Sequence, residues 1–200
     1  IKYSKISGLA MQESTDIITA AANGTKKSVN EIIDVYANLG DATAAGADEI
    51  GMAMSKVAAS AETAGVPFEQ MSAYIATISS VTREGAETIG NSLKTLMARY
   101  TSIKQRGFNE EDATNLNEVT KALKTVGITA VDSAGQLRPF GEIMDEVGKK
   151  WLSLDGNSQK YLATTLAGQR QMNRLLTLLN NYPETLKNID ISSFKITHIN

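Results

Sequence analysis

From Ile32 to Leu179 the apolar residues recur every three or four positions, and only three prolines interrupt 200 residues. That spacing places side chains on one face of a 3.6-residue turn and predicts helix. No strand–helix alternation of the βαβ kind appears. The expected fold is therefore all-α, a bundle of about seven helices with one small hairpin-like loop near 128–139. The composition, 42% apolar and 21% charged, is that of a packed chain rather than a disordered one.

The strongest pattern is a heptad seam, with Ala47, Ile50, Met54, Val57, Ala61 and Ala64 stepping by three and four. Its alanines let a partner helix approach closely. Upstream, Ser28 and Glu31 have the spacing of a capping box for a helix carrying Ile32, Tyr36 and Leu39. Gly40 is the expected stop there, with the next helix starting at Asp41. Gly65 ends the seam helix and Pro67 suits the start of the following one. That helix carries Met71, Tyr74, Ile75, Ile78 and Val81. Gly85 and Gly90 predict a break or a close helix contact between 83 and 92. Beyond it run Ile89, Leu93, Leu96, Met97, Tyr100 and Ile103, stopped by Gly107. Asn109 is a good N-cap for a helix with Leu116, Val119, Leu123 and Val126, closed by Gly127.

From Ile128 to Pro139 the pattern changes to two short extended pieces around Asp132-Ser-Ala-Gly135. Helix resumes with Phe140, Ile143, Met144, Val147 and Trp151, and Asp155-Gly156-Asn157 reads as a turn. A last long helix carries Tyr161, Leu162, Leu166, Met172, Leu175, Leu176 and Leu179 and breaks near Pro183. The end of the chain, 191–200, alternates as a strand does or is disordered, with Phe194, Ile196 and His198 on one face. The expected division is a helical sub-bundle over 1–126, a loop plus helical segment over 127–190, and the tail. The chain opens on Ile1, and it is read as a piece of a longer protein.

Cysteine is absent and there is one histidine, which excludes disulfides, thiol nucleophiles and Cys-ligated zinc within these residues. A Ser-His-Asp arrangement would need His198, so a surface histidine is the better reading. Glu110/Glu111 and Asp145/Glu146 are adjacent on helices and point about 100° apart, which is not how a general acid and base converge. Gly85-Ala-Glu-Thr-Ile-Gly90-Asn91-Ser92 has phosphate-loop spacing but lacks the lysine at 91 and a preceding strand. No catalytic, cofactor or metal residues are assigned. No window is apolar enough to span a membrane.

Charge is nearly balanced, 20 basic against 22 acidic residues, unlike a dedicated duplex-DNA binder. It is unevenly spread. Arg83, Lys94, Arg99, Lys104 and Arg106 make the stretch 83–106 basic, while 41–69 is acidic. Such faces most simply attract each other when the helices fold back. The rival reading is a ridge for an acidic partner, with non-specific DNA contact.

Two blocks carry a family resemblance. One runs from Ala64-Gly-Val-Pro-Phe to Gly90 and ends in Ala98-Arg-Tyr100, so it includes Gly65, Pro67, Gly90 and Arg99. The other holds Asp132, Gly135 and Leu137-Arg138-Pro139, followed by Trp151 and the Leu166-Ala-Gly168-Gln-Arg170 helix. In this order they resemble the core domain of bacteriophage tail tape measure proteins, in the version common in phages and prophages of Gram-positive bacteria. The resemblance implies a structural virion protein without catalytic residues. Members occupy the tail-tube lumen, set tail length and leave ahead of the DNA. It implies partners too: further copies of itself, the tail tube protein, assembly chaperones and tail-tip or baseplate proteins. Their setting is the host cytoplasm during assembly. The alternatives are a cell-wall hydrolase fragment using Glu142, Asp145 or Glu146, and a nucleic-acid module using the 83–106 ridge.

Overall fold

The computed structural model describes residues 1–105 and 110–194, with side chains except at 102–105 and 110–117. The described residues form α1 (Lys2–Ser7), α2 (Met11–Thr25), α3 (Val29–Ala42), α4 (Ala47–Ala64) and α5 (Phe68–Thr82). They continue as α6 (Ala86–Gln105), α7 (Glu110–Thr125), α8 (Phe140–Trp151), α9 (Gly156–Asn180) and α10 (Tyr182–Ser192). The class is all-α, and the expected number of helices, about seven, is corrected to ten among the described residues. The additions are α1, α2 and α10. The first two bury few large side chains, and α10 buries mostly polar ones.

The seam helix α4 is the centre. Ile50, Ala53, Met54 and Val57 are fully buried, and α2, α3, α5 and α6 all pack on it. Small residues set the spacing. A Cβ at Gly90 of α6 would stand 2.5 Å from the Ala53 carbonyl oxygen, and one at Gly24 of α2 would stand 2.8 Å from Ala58 Cβ. Gly90 is thus a close helix contact, and the break falls within the expected stretch, at 83–85: α5 ends at Thr82, Arg83 takes a left-handed backbone, φ 56°, and α6 begins at Ala86. The heptad seam is closed inside the chain's own bundle rather than offered to another rod.

The capping box is formed, with Ser28 Oγ accepting from Glu31 N–H and Glu31 accepting from Ser28 N–H. Gly40 does not stop α3, which runs on to Ala42. Instead Gly40 passes so near Ala47 that a Cβ would lie 2.9 Å from its nitrogen. The next helix therefore starts at Ala47, not Asp41. Val81 and Tyr161, expected on apolar stripes, are exposed. Asp155 is the N-cap of α9, its carboxylate accepting from Asn157 and Ser158 N–H, where a plain turn was expected.

Two features of the last third differ from expectation. The long helix α9 is broken at Gly168, whose φ 69° and ψ 166° are non-helical. Ile191 and Ser192 belong to α10 rather than to a strand, and Phe194 is exposed. Residues 195–200, with Ile196 and His198, lie outside the described residues, as do Gly107, Asn109 and the side chains of Ile103, Lys104, Arg106 and Leu116.

Candidate interaction site at the α4–α8 junction

The site begins with the end of α4. Gly65 adopts φ 75°, and the N–H groups of Gly65 and Val66 donate back to the Glu62 and Ala61 carbonyls, 3.1 and 2.9 Å. This is the Schellman closure that a left-handed glycine permits. It aims the chain at Pro67, the N-cap of α5.

The second segment of the site is the 127–139 loop. Gly127, φ 71°, ends α7, and Lys150 Nζ donates to the freed Val126 and Gly127 carbonyls. A single antiparallel bridge joins Val131 to Leu137. Asp132 shapes the turn: Oδ1 accepts from the Ala134 and Gln136 N–H groups, 2.9 and 2.8 Å. Gly135 supplies the left-handed residue, φ 75°. The Asp-x-x-Gly spacing is therefore a backbone requirement of the turn. Leu137 is buried beneath it.

Arg138 ties this loop to α8. Its backbone N–H donates to Ala130 O, Nη1 donates to Thr129 O at 2.9 Å, and Nη2 reaches Glu146 at 2.5 Å and Glu142 at 3.3 Å. The Glu146 hydrogen bond is the main cause that pushes its guanidinium above the ordinary arginine value. The Tyr100 hydroxyl donates to the Arg138 carbonyl, and the Tyr100 and Phe140 rings lie 4.6 Å apart. Burial pushes the Tyr100 phenol well above its ordinary value.

The two segments meet at Pro139. A Cβ on Gly65 would come within 2.8 Å of Pro139 Cβ. The Gly141 N–H donates to Gly65 O, 3.3 Å, and Gln70 Nε2 donates to Gly141 O, 3.0 Å. The structure thus brings Gly65, Pro67, Arg138 and Pro139 together, with Asp132, Gly135 and Leu137 in the adjoining turn. Tyr100, Gln70 and Gly141 complete the junction. Tyr100 was legible as a stripe residue and as the end of the first resemblance block, and nothing in the spacing marked Gln70 or Gly141.

The remaining resemblance residues lie elsewhere. Arg99 of α6 reaches α9, its guanidinium 3.6 Å from where a Cβ on Gly168 would stand. Trp151 is fully buried and donates from Nε1 to Asn180 Oδ1, 2.7 Å. Gly90 sits in the α4–α6 contact, and Arg170 is exposed.

A groove of about 750 Å³ opens beside the junction, between the Gly65–Pro67 turn, α8 and α10. Val66, Pro67, Pro139, Leu186 and Ile189 line it, together with Glu62, Glu69, Glu142, Asp145 and Asp190. Four of these carboxylates already face cations: Lys26 with Glu62 at 4.0 Å, Lys27 with Glu69 at 2.6 Å, Arg138 with Glu142, and Lys149 with Asp145 at 2.6 Å. Arg138 also holds Glu146. So the carboxylates considered for a hydrolase are ion-paired, unlike a general acid set in an apolar pocket. Among the described residues, no group of three or more His, Asp or Glu side chains could hold a metal ion.

In the basic stretch, Arg83 Nη1 donates to Ala44 O, and Lys56 of α4 pairs with Glu87 at 3.4 Å. Arg174 of α9 holds Glu84 through two contacts of 3.1 and 2.9 Å. Lys94 is exposed. The residues before Gly85 are helix α5, not the strand a phosphate loop requires. No described helix is long and apolar enough to cross a membrane. No solved structure matches the chain. The family model for phage-related minor tail proteins matches residues 1–168, more than four-fifths of the length, and the chain belongs to that family.

Proposed function

We propose that this chain is the core segment of a tape measure protein, in the version of phages and prophages of Gram-positive bacteria. Membership of the minor tail family gives it a structural role in the tail. The finer reading rests on one observation, the order of its two sequence blocks, Gly65-Val-Pro67 to Arg99-Tyr100 and then Asp132 to Arg138-Pro139 and Gly168-Gln-Arg170. In this role the chain lies in the tail-tube lumen, is handed there in the host cytoplasm by assembly chaperones, and contacts the tube and the tail-tip or baseplate proteins. It leaves ahead of the DNA. Its work is mechanical rather than catalytic.

The junction suits that work. Arg138, Tyr100 and the Gly65–Pro139 contact support reading the 127–139 loop as a fixed connector between the expected sub-bundle 1–126 and the expected segment 127–190. The resemblance residues are then structural: they terminate helices and bring them close. The test is genetic. In a phage or prophage encoding this chain, an in-frame duplication of residues 1–192 lengthens the tail seen by electron microscopy. Tails of unchanged length would refute the measuring role.

A further inference from the structure

We infer that α10 is a releasable clasp, docked on α5 through buried hydroxyl and amide groups and on α3 through the half-buried Asn38 amide, which comes away as a unit while the apolar core around α4 stays folded. The inference is independent of the role in the tail. Helices normally turn an apolar stripe inward; beyond Tyr182, α10 turns a polar face inward, with Leu186 and Ile191 packed half-buried against the core beside it. Its buried side chains are Tyr182, Thr185, Asn188 and Ser192, whereas Leu186, Ile189 and Ile191 are only half-buried. Opposite them, Thr77 of α5 is fully buried. The Thr185 hydroxyl lies 3.0 Å from Thr77 Oγ1, and Asn188 Nδ2 donates to the same oxygen at 3.0 Å. Asn188 Oδ1 is buried with no protein partner. At the far end, Asn38 Nδ2 of α3 donates to the Ile191 and Phe194 carbonyls, 3.3 and 2.7 Å.

Contacts of this kind separate at small cost. A hydrogen bond between protein groups exchanges for bonds to water, so its net contribution is modest. Asn188 Oδ1 gains a partner on opening. Stripping a helix from the α4 seam exposes apolar surface with no such compensation. Elements with few buried apolar contacts open at the low end of the local stability range. The pivot is Tyr182, fully buried against Gly148 of α8, so the releasable unit runs from Thr185 to Ser192.

Hydrogen exchange of the whole chain, read by mass spectrometry, tests this. Released, a helix this short unwinds, so amides of 185–192 are expected to be at least tenfold less protected than those of 54–64, with one shared opening free energy. A gradient that only rises towards Ser192 indicates end fraying and overturns the proposal, as does equal protection of the two segments. The triple variant Thr77→Val, Thr185→Val, Asn188→Leu replaces the polar contact by an apolar one. It slows exchange of 185–192 about tenfold and leaves 54–64 unchanged; no slowing in a folded variant counts against the clasp. Should that variant fail to fold, Asn38→Ala decides. It speeds exchange severalfold in 185–192 alone, and a uniform change or none refutes the clasp.

Discussion

Three glycines with nearly the same φ separate conformational need from packing need. Gly8, Gly65 and Gly135 have φ of 72°, 75° and 75°. A Cβ at Gly8 or Gly135 meets nothing within 4 Å, while at Gly65 it would lie 2.8 Å from Pro139 Cβ and 3.2 Å from its Cα. Gly→Ala at the first two sites is expected to cost about 1 kcal/mol, the left-handed penalty alone. At Gly65 the loss is expected to reach about 3 kcal/mol, because the proline ring cannot rotate away. Urea unfolding midpoints measure all three, and equal losses would show that the α4–α8 contact is slack. Tyrosines offer a second test at this scale. Burial raises the phenols of Tyr3, Tyr36, Tyr74, Tyr100 and Tyr182 above their ordinary value of 10.0. Their unfolded forms lose protons at lower pH than their folded forms. Stability from this source is therefore complete below pH 10 and declines as pH rises through it towards the raised folded values. Midpoints should stay level from neutral pH up to about pH 9, apart from other groups, and fall above pH 10 together with cooperative tyrosinate absorbance. Smooth ionisation with helix intact would contradict the burial.

At the scale of elements, legibility followed the chemistry of the buried face. The seam of α4 was readable because Ile50, Met54 and Val57 stand at heptad spacing and are the residues that are buried. The clasp α10 was unreadable because Thr185, Asn188 and Ser192 carry its inner face, so hydrophobic periodicity was silent there. Gly40 misled, since a glycine that permits close approach to Ala47 looks in sequence like one that ends a helix. Gly168 was legible as a resemblance residue but not as a break, because Leu162, Leu166, Leu175 and Leu179 keep helical spacing on both sides. An alanine there would normally gain about 1 kcal/mol in a helix interior. Here φ 69° with ψ 166° is open only to glycine, and the nearest atoms, of Arg99, leave ordinary room at 3.6 Å. Gly168→Ala is therefore expected to lose about 2 kcal/mol in urea unfolding through backbone strain. A gain would mean that the two halves of α9 can join into one straight helix without penalty.

For the molecule as a whole, sequence spacing gave the class and most of the core but not the site. Gly65 and Pro139 lie 74 positions apart, and their meeting depends on how α4, α5 and α8 pack, which no local pattern encodes. The same packing bears on the proposed tape measure role. Because the α4 seam is closed within the bundle, the folded chain cannot offer it to a second copy. As a compact fold, 200 residues have a radius of gyration of about 16 Å, so the segment is roughly 40 Å across. Drawn out as continuous helix, they reach about 300 Å at 1.5 Å per residue. On the proposed role, duplicating residues 1–192 therefore distinguishes two states of the segment. Tails longer by roughly 40 Å would mean that the bundle rides inside the tube folded, its junction intact. Tails longer by about 300 Å would mean that the helices separate on entry and the buried seam becomes available to neighbouring copies. In the second case Gly65→Ala and Gly168→Ala, which weaken the bundle, should leave tail length unchanged; in the first they should make it less uniform.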